Sequence, residues 1–420
     1  MTGSHSLNPD PSGPDRQEAR TPRGPGRRTA TVVTASVMAL AAAAGSAVSW
    51  SRAKPPVRTG HAYGQEQLQR DVDAVRATGV VGVLGEADTG AGRLMARSGV
   101  ADLTSRAPMP WDGHFRIGSA TKTFTATVVL QLVGDRRLSL DDTVEKWLPG
   151  VVKDNGNDGR RITIRELLQH TSGLHDYLTR PAASPREWRQ ERLRTWRPGQ
   201  LVARAMRHRP DFAPGTRWSY SNTNYVLAGM IIHKVTGHSW QWEIQRRILT
   251  PLNLRHTTTP GARPYVPDPH AEAYQRFAPN GPLTDVTIQN QTVGDAAGAM
   301  ISTTGDLNRF FHALIGGRLL APAQLAEMQR TVPAEEMRAM GAAGARYGLG
   351  LVYQPLSCGR GYWSHGGDAD GYRTRMGVTS DGRRGVVVSV TSRSPADLRA
   401  EQRTDHALTT LVDDALCAGH

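Results

Sequence analysis

The residues best suited to chemistry in this sequence begin with a serine and a lysine three positions apart. Ser119 and Lys122 stand at the start of an apolar stretch whose periodicity predicts a helix. Residues at this spacing share one helical face, so the hydroxyl and the amine can meet. A serine hydroxyl is a poor nucleophile without a base, and a lysine pressed against apolar neighbours can lose its proton and become that base. The pair predicts nucleophilic acyl chemistry, although Ser119 read alone could equally be a helix N-cap.

Lysine is scarce in this chain, which makes Lys122 more informative. Of the 51 Lys and Arg residues, only five are lysines. Arginine keeps its proton near neutral pH, whereas a lysine removed from water can release one. Because Lys122 starts an apolar helix, we interpret it as a candidate base and not as a surface charge.

A second segment, Tyr220-Ser221-Asn222, lies in a predicted loop just before a helix. Tyr220 is an acid–base candidate if a cation such as Lys122 lowers its pKa. Asn222 offers both a donor and an acceptor for a substrate amide. The same residue types are ordinary in turns, and Asn222 could simply cap the helix that follows.

A third segment, His365-Gly366-Gly367, lies on a predicted strand. A glycine pair in a strand lets another backbone approach closely. This fits a substrate along a sheet edge, with one backbone N–H completing an oxyanion hole. A bulge or a turn is the alternative interpretation.

The hydrophobic patterns predict strands at both ends of the body and helices between them. The predicted helices cover residues 65–78, 119–133, 224–236, 240–248, 306–315, 323–329 and 395–416. The predicted strands cover residues 80–84, 94–100, 347–353, 362–365, 372–379 and 385–391. This order predicts an antiparallel sheet closed by the two ends of the chain, flanked by terminal helices and carrying a helical insertion.

The first 61 residues have the composition of a targeting region. Residues 1–28 are a basic, disordered n-region rich in Pro, Gly and Arg, and residues 29–50 form an apolar segment ending in small residues, a signal peptide or a membrane anchor. Residues 51–61 are a linker, and residues 62–420 form the folded domain. We expect a secreted or extracytoplasmic protein, tethered to the membrane if the leader is uncleaved. A buried Ala-rich helix is the alternative for the apolar segment.

Charge and cysteine content limit the partners. Lys+Arg exceed Asp+Glu by 51 − 38 = 13, but the basic residues are scattered and form no stripe with aromatics, so nucleic acid is not predicted. Cys358 and Cys417 are the only cysteines. In an oxidising compartment they can form a disulfide, and otherwise they are two buried thiols. No HExxH motif or Cys/His cluster is present, and neither a metal nor a cofactor is predicted.

The three segments occur in an order that resembles the serine β-lactamase and penicillin-binding superfamily, whose signature is S-x-x-K. The resemblance covers about residues 62–418 and is strongest to the branch of class C β-lactamases and secreted D-alanyl-D-alanine carboxypeptidases. The segments 115–119, 170–174 and 347–351 also match in order. The resemblance implies an α/β (α+β) fold of the β-lactamase/transpeptidase type, in which an antiparallel sheet flanked by helices adjoins an all-helical region.

The resemblance also implies catalytic roles. Ser119 would be the acylated nucleophile. Lys122 would accept its proton or would hold Tyr220 as a tyrosinate, and either residue could be the base. Tyr220 would return the proton to the leaving group.

The resemblance further implies a substrate-binding set of Asn222, His365, Gly366, Gly367 and Asp368. Asn222 would contact the acyl amide. His365 would keep the site electropositive and hydrogen-bond to Tyr220. The backbone N–H groups of Ser119 and Asp368 would form the oxyanion hole. The 170–174 loop would be structural.

Two departures from the family pattern concern the grip on a substrate carboxylate. The third motif usually has a hydroxyl residue where this chain has Gly366, and the secreted carboxypeptidases tend to have an arginine where Val352 stands. Asp368 and Asp370 follow the motif and would repel a carboxylate. Two nearby arginines, at 373 and 375, could compensate.

The sequence therefore predicts an exported serine hydrolase, foremost a D-alanyl-D-alanine carboxypeptidase-like peptidase. The alternatives are a D-aminopeptidase, an esterase or a β-lactamase with the same machinery, and more remotely a penicillin-sensing module without turnover. The expected partners are small peptides, amides or esters, including cell-wall peptides or β-lactams, and the expected state is a monomer.

Overall fold

The computed structural model describes residues 63–418, apart from residues 91, 179–181, 341 and 343. The predicted n-region, signal or anchor segment and linker lie outside the described residues. The predicted boundaries of the folded domain stay predictions.

The strands are short and lie mostly toward the two ends of the chain. In chain order they are β1 (Gly82–Asp88), β2 (Arg93–Gly99), β3 (Phe115–Arg116), β4 (Tyr274–Arg276), β5 (Leu283–Asp285), β6 (Ile301–Ser302), β7 (Val332–Pro333), β8 (Arg346–Tyr347), β9 (Val352–Pro355), β10 (Gly361–Ser364), β11 (Gly367–Ala369), β12 (Tyr372–Thr379), β13 (Gly385–Val390) and β14 (Ser392–Arg393).

Nine of these strands form one sheet in the order β2-β1-β13-β12-β10-β9-β8-β7, with β11 paired to β12. Every pairing in this sheet is antiparallel, and β1 from the start of the body lies directly against β13 from its end. The predicted sheet closed by the two ends of the chain is therefore confirmed.

The helices fill the middle of the chain and flank the sheet. In chain order they are α1 (Gln65–Ala77), α2 (Thr121–Gly134), α3 (Val144–Trp147), α4 (Ile164–Gln169), α5 (Pro185–Glu191), α6 (Pro198–Ala205), α7 (Asn222–Thr236), α8 (Trp240–Ile244), α9 (Asp295–Gly298), α10 (Thr304–Ile315), α11 (Pro322–Met328) and α12 (Leu398–Cys417). Among the described residues, no helix is both long and apolar enough to cross a membrane.

The sheet buries both faces, which explains why β13 is rich in valine, with Ser389 as its one polar residue. Val386, Val388 and Val390 pack with α1 and α12 on one face, while Val387 faces the larger helical core on the other. Alternation along a strand sends successive side chains to opposite faces, so a strand covered on both sides is mostly apolar. The helical core on the second face supports the active-site helix α2.

One predicted strand is wrong. Residues 347–353 do not form a continuous strand, because β8 ends at Tyr347 and β9 begins at Val352. Gly350 between them has φ +74°, and a β-carbon there would lie 2.6 Å from the Cβ of Ala126 and 2.7 Å from the hydroxyl of Tyr225. The glycine allows a tight turn to pack against α2 and α7, which an extended strand could not do.

The last helix is tied back to the sheet. Cys358, in the turn between β9 and β10, is paired with Cys417 at the end of α12, with 5.8 Å between the two Cα atoms. This distance suits a disulfide.

Candidate active site

Ser119 lies at the entrance to α2, in a 3-10 turn formed by Gly118–Ala120. The sequence pattern predicts a helix that starts at Ser119, whereas the α-helix itself begins two residues later, at Thr121. Tight 3-10 turns are common at helix N-termini. Gly118 has φ +50°, and a β-carbon there would lie 2.8 Å from the Asp368 backbone nitrogen. The glycine thus lets the Ser119 turn approach β11.

Lys122, the second residue of α2, is fully buried and has three close polar neighbours. Its Nζ lies 2.7 Å from Asn222 Oδ1, 2.8 Å from the carbonyl oxygen of Ala297 and 3.1 Å from Ser119 Oγ. Two of these neighbours can only accept a hydrogen bond. A neutral amine has two N–H donors and one lone pair. In the ammonium form the third N–H donates to Ser119 Oγ, whereas in the neutral form the two donors serve Asn222 and Ala297 and the lone pair is left for the Ser119 hydroxyl.

Burial favours this neutral form of Lys122. Loss of water lowers the pKa of Lys122 from 10.5 to about 7, while the negative charge of Asp176 opposes the shift. The desolvated ammonium is penalised more than the nearby carboxylate stabilises it. A large fraction of the protein carries an uncharged Lys122 at neutral pH.

Tyr220 lies in the loop before α7, beside the lysine and the nucleophile. Lys122 Nζ is 4.8 Å from the centre of the Tyr220 ring. Burial raises the pKa of Tyr220 well above its ordinary value, and a hydrogen bond with the Ser119 hydroxyl only partly offsets this. Burial therefore favours the phenol form of Tyr220. The role of a lysine cation in lowering this pKa stays a prediction.

Asn222 links the lysine to an acidic side chain that the sequence patterns do not identify. It is the first residue of α7, whose N-cap position is taken by Ser221, so the capping alternative is not what the structure shows. Its Oδ1 accepts from Lys122, and its Nδ2 donates to Asp176 Oδ2 at 2.9 Å. One Nδ2 hydrogen therefore remains for a substrate.

Asp176 is a partly exposed carboxylate in this site. It interacts electrostatically with both Lys122 and Tyr220. In the sequence it follows the 170–174 loop by two residues, and its position next to that matched segment is the signal that could have identified it.

The structure places His365 differently from its predicted role. It follows the last residue of β10, and its Nε2 lies 2.9 Å from the Tyr347 hydroxyl, whereas its ring centre is 6.5 Å from that of Tyr220. Its Nδ1 lies 2.8 Å from the Gly366 carbonyl oxygen, which can only accept. Burial, aided by the nearby Lys122, lowers the pKa of His365 to about 3. The expected cation bonded to Tyr220 is thus a neutral histidine that accepts from Tyr347.

Gly367 brings two backbones together, as the glycine pair predicts. A β-carbon at Gly367 would lie 1.9 Å from the Ile117 carbonyl oxygen and 2.8 Å from the Ser119 amide nitrogen. At Gly366 a β-carbon would find more room, with its nearest neighbour, the Thr374 carbonyl oxygen, at 3.1 Å. The β11 backbone at Gly367 and Asp368 therefore runs beside the Ser119 turn, where an oxyanion hole made of backbone N–H groups is expected.

The charged residues around the third motif are paired with one another. The arginines are Arg373, Arg375 and Arg393, and the acids are Asp368, Glu401 and Asp405. Burial raises the pKa of Asp368, but these three guanidinium groups outweigh that effect and hold the pKa well below its usual range. Arg373 and Arg375, which could have bound a substrate carboxylate in place of the missing family residues, are therefore already paired with acids.

No group of three or more His, Cys, Asp or Glu side chains within the described part of the chain could hold a metal ion. The side chains that meet at this site are the hydroxyl of Ser119, the amine of Lys122 and the phenol of Tyr220.

The fold and the sequence of the chain are similar to those of known proteins. Two solved structures superpose on most of the chain. One is the D-stereospecific amidohydrolase from Streptomyces sp. (42% identity, TM-score 0.74, covering 82% of this chain and 98% of that one). The other is the D-amino acid amidase from Ochrobactrum anthropi SV3, complexed with L-phenylalanine amide (29% identity, TM-score 0.71, covering 83% and 97%).

Curated relatives match over shorter segments. Penicillin-binding protein 4* of Bacillus subtilis is 29% identical over 302 residues, which are 69% of this chain and 63% of that protein. Penicillin-binding protein 4 of Amycolatopsis lactamdurans is 34% identical over 39% of this chain and 40% of its own length. The chain thus spans less than two thirds of these relatives. The family model described as Beta-lactamase matches residues 65–411. A match of this length shows that the chain belongs to the beta-lactamase family of serine hydrolases.

Proposed function

We propose that this protein is an exported hydrolase that cleaves amides or esters of D-amino acids through an acyl-enzyme on Ser119. The observation that carries the proposal is the charge pattern of the site. The carboxylate of Asp176 lies beside the Lys122–Asn222 pair, while the arginines near the third motif are already paired with acids. Such a site attracts an α-ammonium group and repels a free carboxylate.

The neutral amine of Lys122 starts the reaction. Its lone pair takes the Ser119 proton while Oγ forms a bond to the substrate carbonyl carbon. The developing oxyanion is stabilised by backbone N–H groups at Ser119 and Asp368. When the bond to the leaving group breaks, the Tyr220 hydroxyl gives it a proton, and the proton held by Lys122 restores the phenol. The leaving amine or alcohol departs neutral, and the serine remains acylated.

Lys122 is the better general base of the two candidates. Its pKa of about 7 makes the free amine abundant at neutral pH, whereas burial keeps Tyr220 protonated. A base works best when its pKa lies near the working pH. In deacylation the same groups act in reverse order on a water molecule, which takes the place of the leaving group.

The residues at the position where a substrate carboxylate would bind favour an aminopeptidase or amidase over a carboxypeptidase. Val352, at the position where a family arginine would grip a carboxylate, is buried. Gly366 offers no hydroxyl, and Arg375 is bonded to Asp368 and Asp405. The names of the two superposed structures, a D-stereospecific amidohydrolase and a D-amino acid amidase, point to the same substrate class. Carboxypeptidase activity stays a prediction and serves as the contrasting outcome of the test.

Export rests on the sequence of the first 50 residues. A basic flank followed by an apolar segment and small residues is typical of secretory signals. Fractionation of an expressing bacterium, with the mass of the recovered chain, separates a cleaved secreted form from an anchored or cytoplasmic full-length one.

The activity is tested with three substrates, each with Ser119→Ala as control. D-alanine p-nitroanilide and its N-acetyl derivative release p-nitroaniline, and an N-acyl-D-alanyl-D-alanine peptide releases D-alanine. We expect Ser119-dependent release of nitroaniline, at least tenfold faster when the α-amine is free. Preferential release of D-alanine from the peptide would replace the proposal with the carboxypeptidase, and a stable penicillin adduct in the intact mass would support that outcome.

A further inference from the structure

His170, in the loop after α4, contacts three consecutive residues of the segment that carries Tyr220. Its carbonyl oxygen accepts a hydrogen bond from the Ser219 N–H at 3.1 Å, and its Nδ1 accepts from the Ser221 N–H at 3.2 Å. Between these two bonds, its ring lies 4.3 Å from the Tyr220 ring at an interplanar angle of 32°. One residue thus holds the backbone on both sides of Tyr220 and the tyrosine ring itself.

A polar chain fixes the histidine in one tautomer. Nδ1 also lies 3.1 Å from Asn224 Nδ2, and Ser172 Oγ donates to Asn224 Oδ1 at 2.6 Å. Since the Asn224 oxygen is occupied by the serine, its amide nitrogen faces the ring and donates. Nδ1 therefore accepts twice and carries no proton, which places the hydrogen on Nε2.

The histidine is held neutral in a closed aromatic environment. It is fully buried, and its ring centre lies 4.9 Å from that of Tyr347 in an edge-on contact. Burial, together with the nearby Lys122, lowers the pKa of His170 well below its ordinary value. A protonated ring would lose the Nδ1 lone pair that accepts from Ser221 and Asn224.

Tyr220 depends on such contacts because it belongs to no regular element. Residues 217–221 precede α7 without helix or strand hydrogen bonds of their own. A buried backbone N–H that loses its acceptor costs about 1–3 kcal/mol. The Ser221 N–H would then pull the loop toward another acceptor and move the phenol away from Ser119.

We propose that His170 is a positioning residue that sets the orientation of Tyr220 for proton transfer at Ser119. The inference deepens the proposed function and rests on it for its kinetic consequence. Its geometric part, the control of Tyr220 by the Nδ1 acceptor, is independent of the substrate. The side chain itself touches no reacting atom.

The test compares substitutions that distinguish the effect of the aromatic ring from the effect of the Nδ1 acceptor. His170→Phe keeps a ring and removes the acceptor. His170→Asn keeps an acceptor near the Nδ1 position, and asparagine tolerates the φ of +61° found here. His170→Gln moves the amide one bond farther out and is a second acceptor-displaced variant if the phenylalanine protein does not fold. Gln169→Ala is the matched control, because it removes the adjacent buried side chain, which donates to the Arg330 carbonyl.

Two readouts are made on the full chain. The first is kcat and KM for D-alanine p-nitroanilide beside thermal unfolding. We expect kcat to fall by about 100-fold in His170→Phe and His170→Gln with KM within twofold, and by less than about fivefold in His170→Asn. Gln169→Ala should lower the unfolding temperature without changing kcat. Equal kcat in the phenylalanine variant and the wild type, or equal losses in all three His170 variants, overturns the proposal.

The second readout does not need turnover. In protein labelled with 3-fluorotyrosine, the Tyr220 ¹⁹F resonance is assigned by its loss in Tyr220→Phe. We expect it to shift or broaden in His170→Phe and His170→Gln and to stay near the wild-type position in His170→Asn. An unmoved resonance in the acceptor-displaced variants overturns the inference. If the wild type shows no Ser119-dependent hydrolysis, the proposed function fails, and this resonance still decides the geometric claim.

Discussion

Lys122 and Asn222, one hundred residues apart in the chain, are joined by a 2.7 Å hydrogen bond from Nζ to Oδ1. The bond connects α2, the helix that follows the Ser119 turn, to α7, the helix that follows the Tyr220 loop. It also occupies one of the two hydrogens of the neutral amine. With the Ala297 carbonyl occupying the other, the lone pair of Lys122 has Ser119 as its partner. Contacts with residues far away in the sequence therefore orient the lone pair of Lys122 toward Ser119.

Replacing Lys122 by arginine tests whether a deprotonatable amine is required. Arginine keeps the charge but does not release its proton near neutral pH, so we expect kcat to fall by about 10³-fold. The measurement is hydrolysis of D-alanine p-nitroanilide at pH 7.5. Lys146→Arg, at an exposed ion pair with Asp142, is the matched control and should keep wild-type kcat. A fully active Lys122→Arg enzyme would exclude Lys122 as the base.

The pH dependence of the reaction should report the same amine. Because Lys122 must be neutral to accept the Ser119 proton, kcat/KM should rise with pH through a midpoint of about 7 and level off above it. An uncharged ester such as p-nitrophenyl acetate avoids titration of a substrate amine. His365, with a pKa of about 3, does not titrate in this range.

Asp295 is the main competing explanation for such a profile, since burial raises its pKa to about 6. It lies two residues from the Ala297 carbonyl that Lys122 contacts. Asp295→Asn should leave the rise of kcat/KM with pH unchanged. A rise that disappears in this variant, or a wild-type rate that is flat between pH 5.5 and 8.5, would contradict the assignment to Lys122.

Asp176 should determine the preference for a free α-amine. In Asp176→Asn the amide oxygen can still accept from Asn222, but the negative charge is gone. We expect KM for D-alanine p-nitroanilide to rise by about 10- to 100-fold, as a charged hydrogen bond is worth about 1.5–3 kcal/mol, with little change for the N-acetyl substrate. Asp211→Asn, a more exposed carboxylate bonded to His175, is the control. Equal losses on both substrates would mean that Asp176 acts on the catalytic groups and not on the ammonium.

Gly367 should tolerate no side chain. A β-carbon there would overlap the Ile117 carbonyl oxygen at 1.9 Å and press on the Ser119 amide nitrogen at 2.8 Å. Gly367→Ala must therefore separate β11 from the nucleophile's turn, and we expect kcat to fall by about 100-fold or more. Gly199→Ala, where a β-carbon meets nothing within 4 Å, is the matched control. An active Gly367→Ala enzyme would rule out a tight oxyanion hole at this contact.

The Cys358–Cys417 pair is expected to be oxidised in exported protein. The intact mass should be 2 Da below that of the fully reduced chain. A bridge across 59 residues constrains the unfolded chain, so Cys358→Ser should lower the free energy of unfolding by about 2–4 kcal/mol. A reductant should destabilise the wild type by the same amount and leave the variant unchanged. An unaltered mass with no effect of reductant would indicate two free thiols.

The fold could be anticipated wherever local pattern and long-range packing agree. The alternating and continuous apolar runs of β12 and β13 predict their bounds within one residue, because these strands are buried on the sheet faces that their patterns suggest. The run 347–353 is also largely apolar but turns at Gly350, since the chain must pass close to Ala126 and Tyr225. A local sequence pattern cannot predict a contact with residues so far away in the chain.

The sequence by itself identified the candidate nucleophile and its lysine, because Ser119 and Lys122 are three residues apart and helical geometry brings such neighbours together. It also determined the order of the three motifs and hence the family. Only the tertiary structure decided the protonation states and the partners. The pKa of Lys122 is lowered because the fold removes the amine from water, and His365 faces Tyr347 because β8 and β10 meet through β9 in the sheet. Burial and contacts between distant segments depend on the whole packed chain, which no single motif encodes.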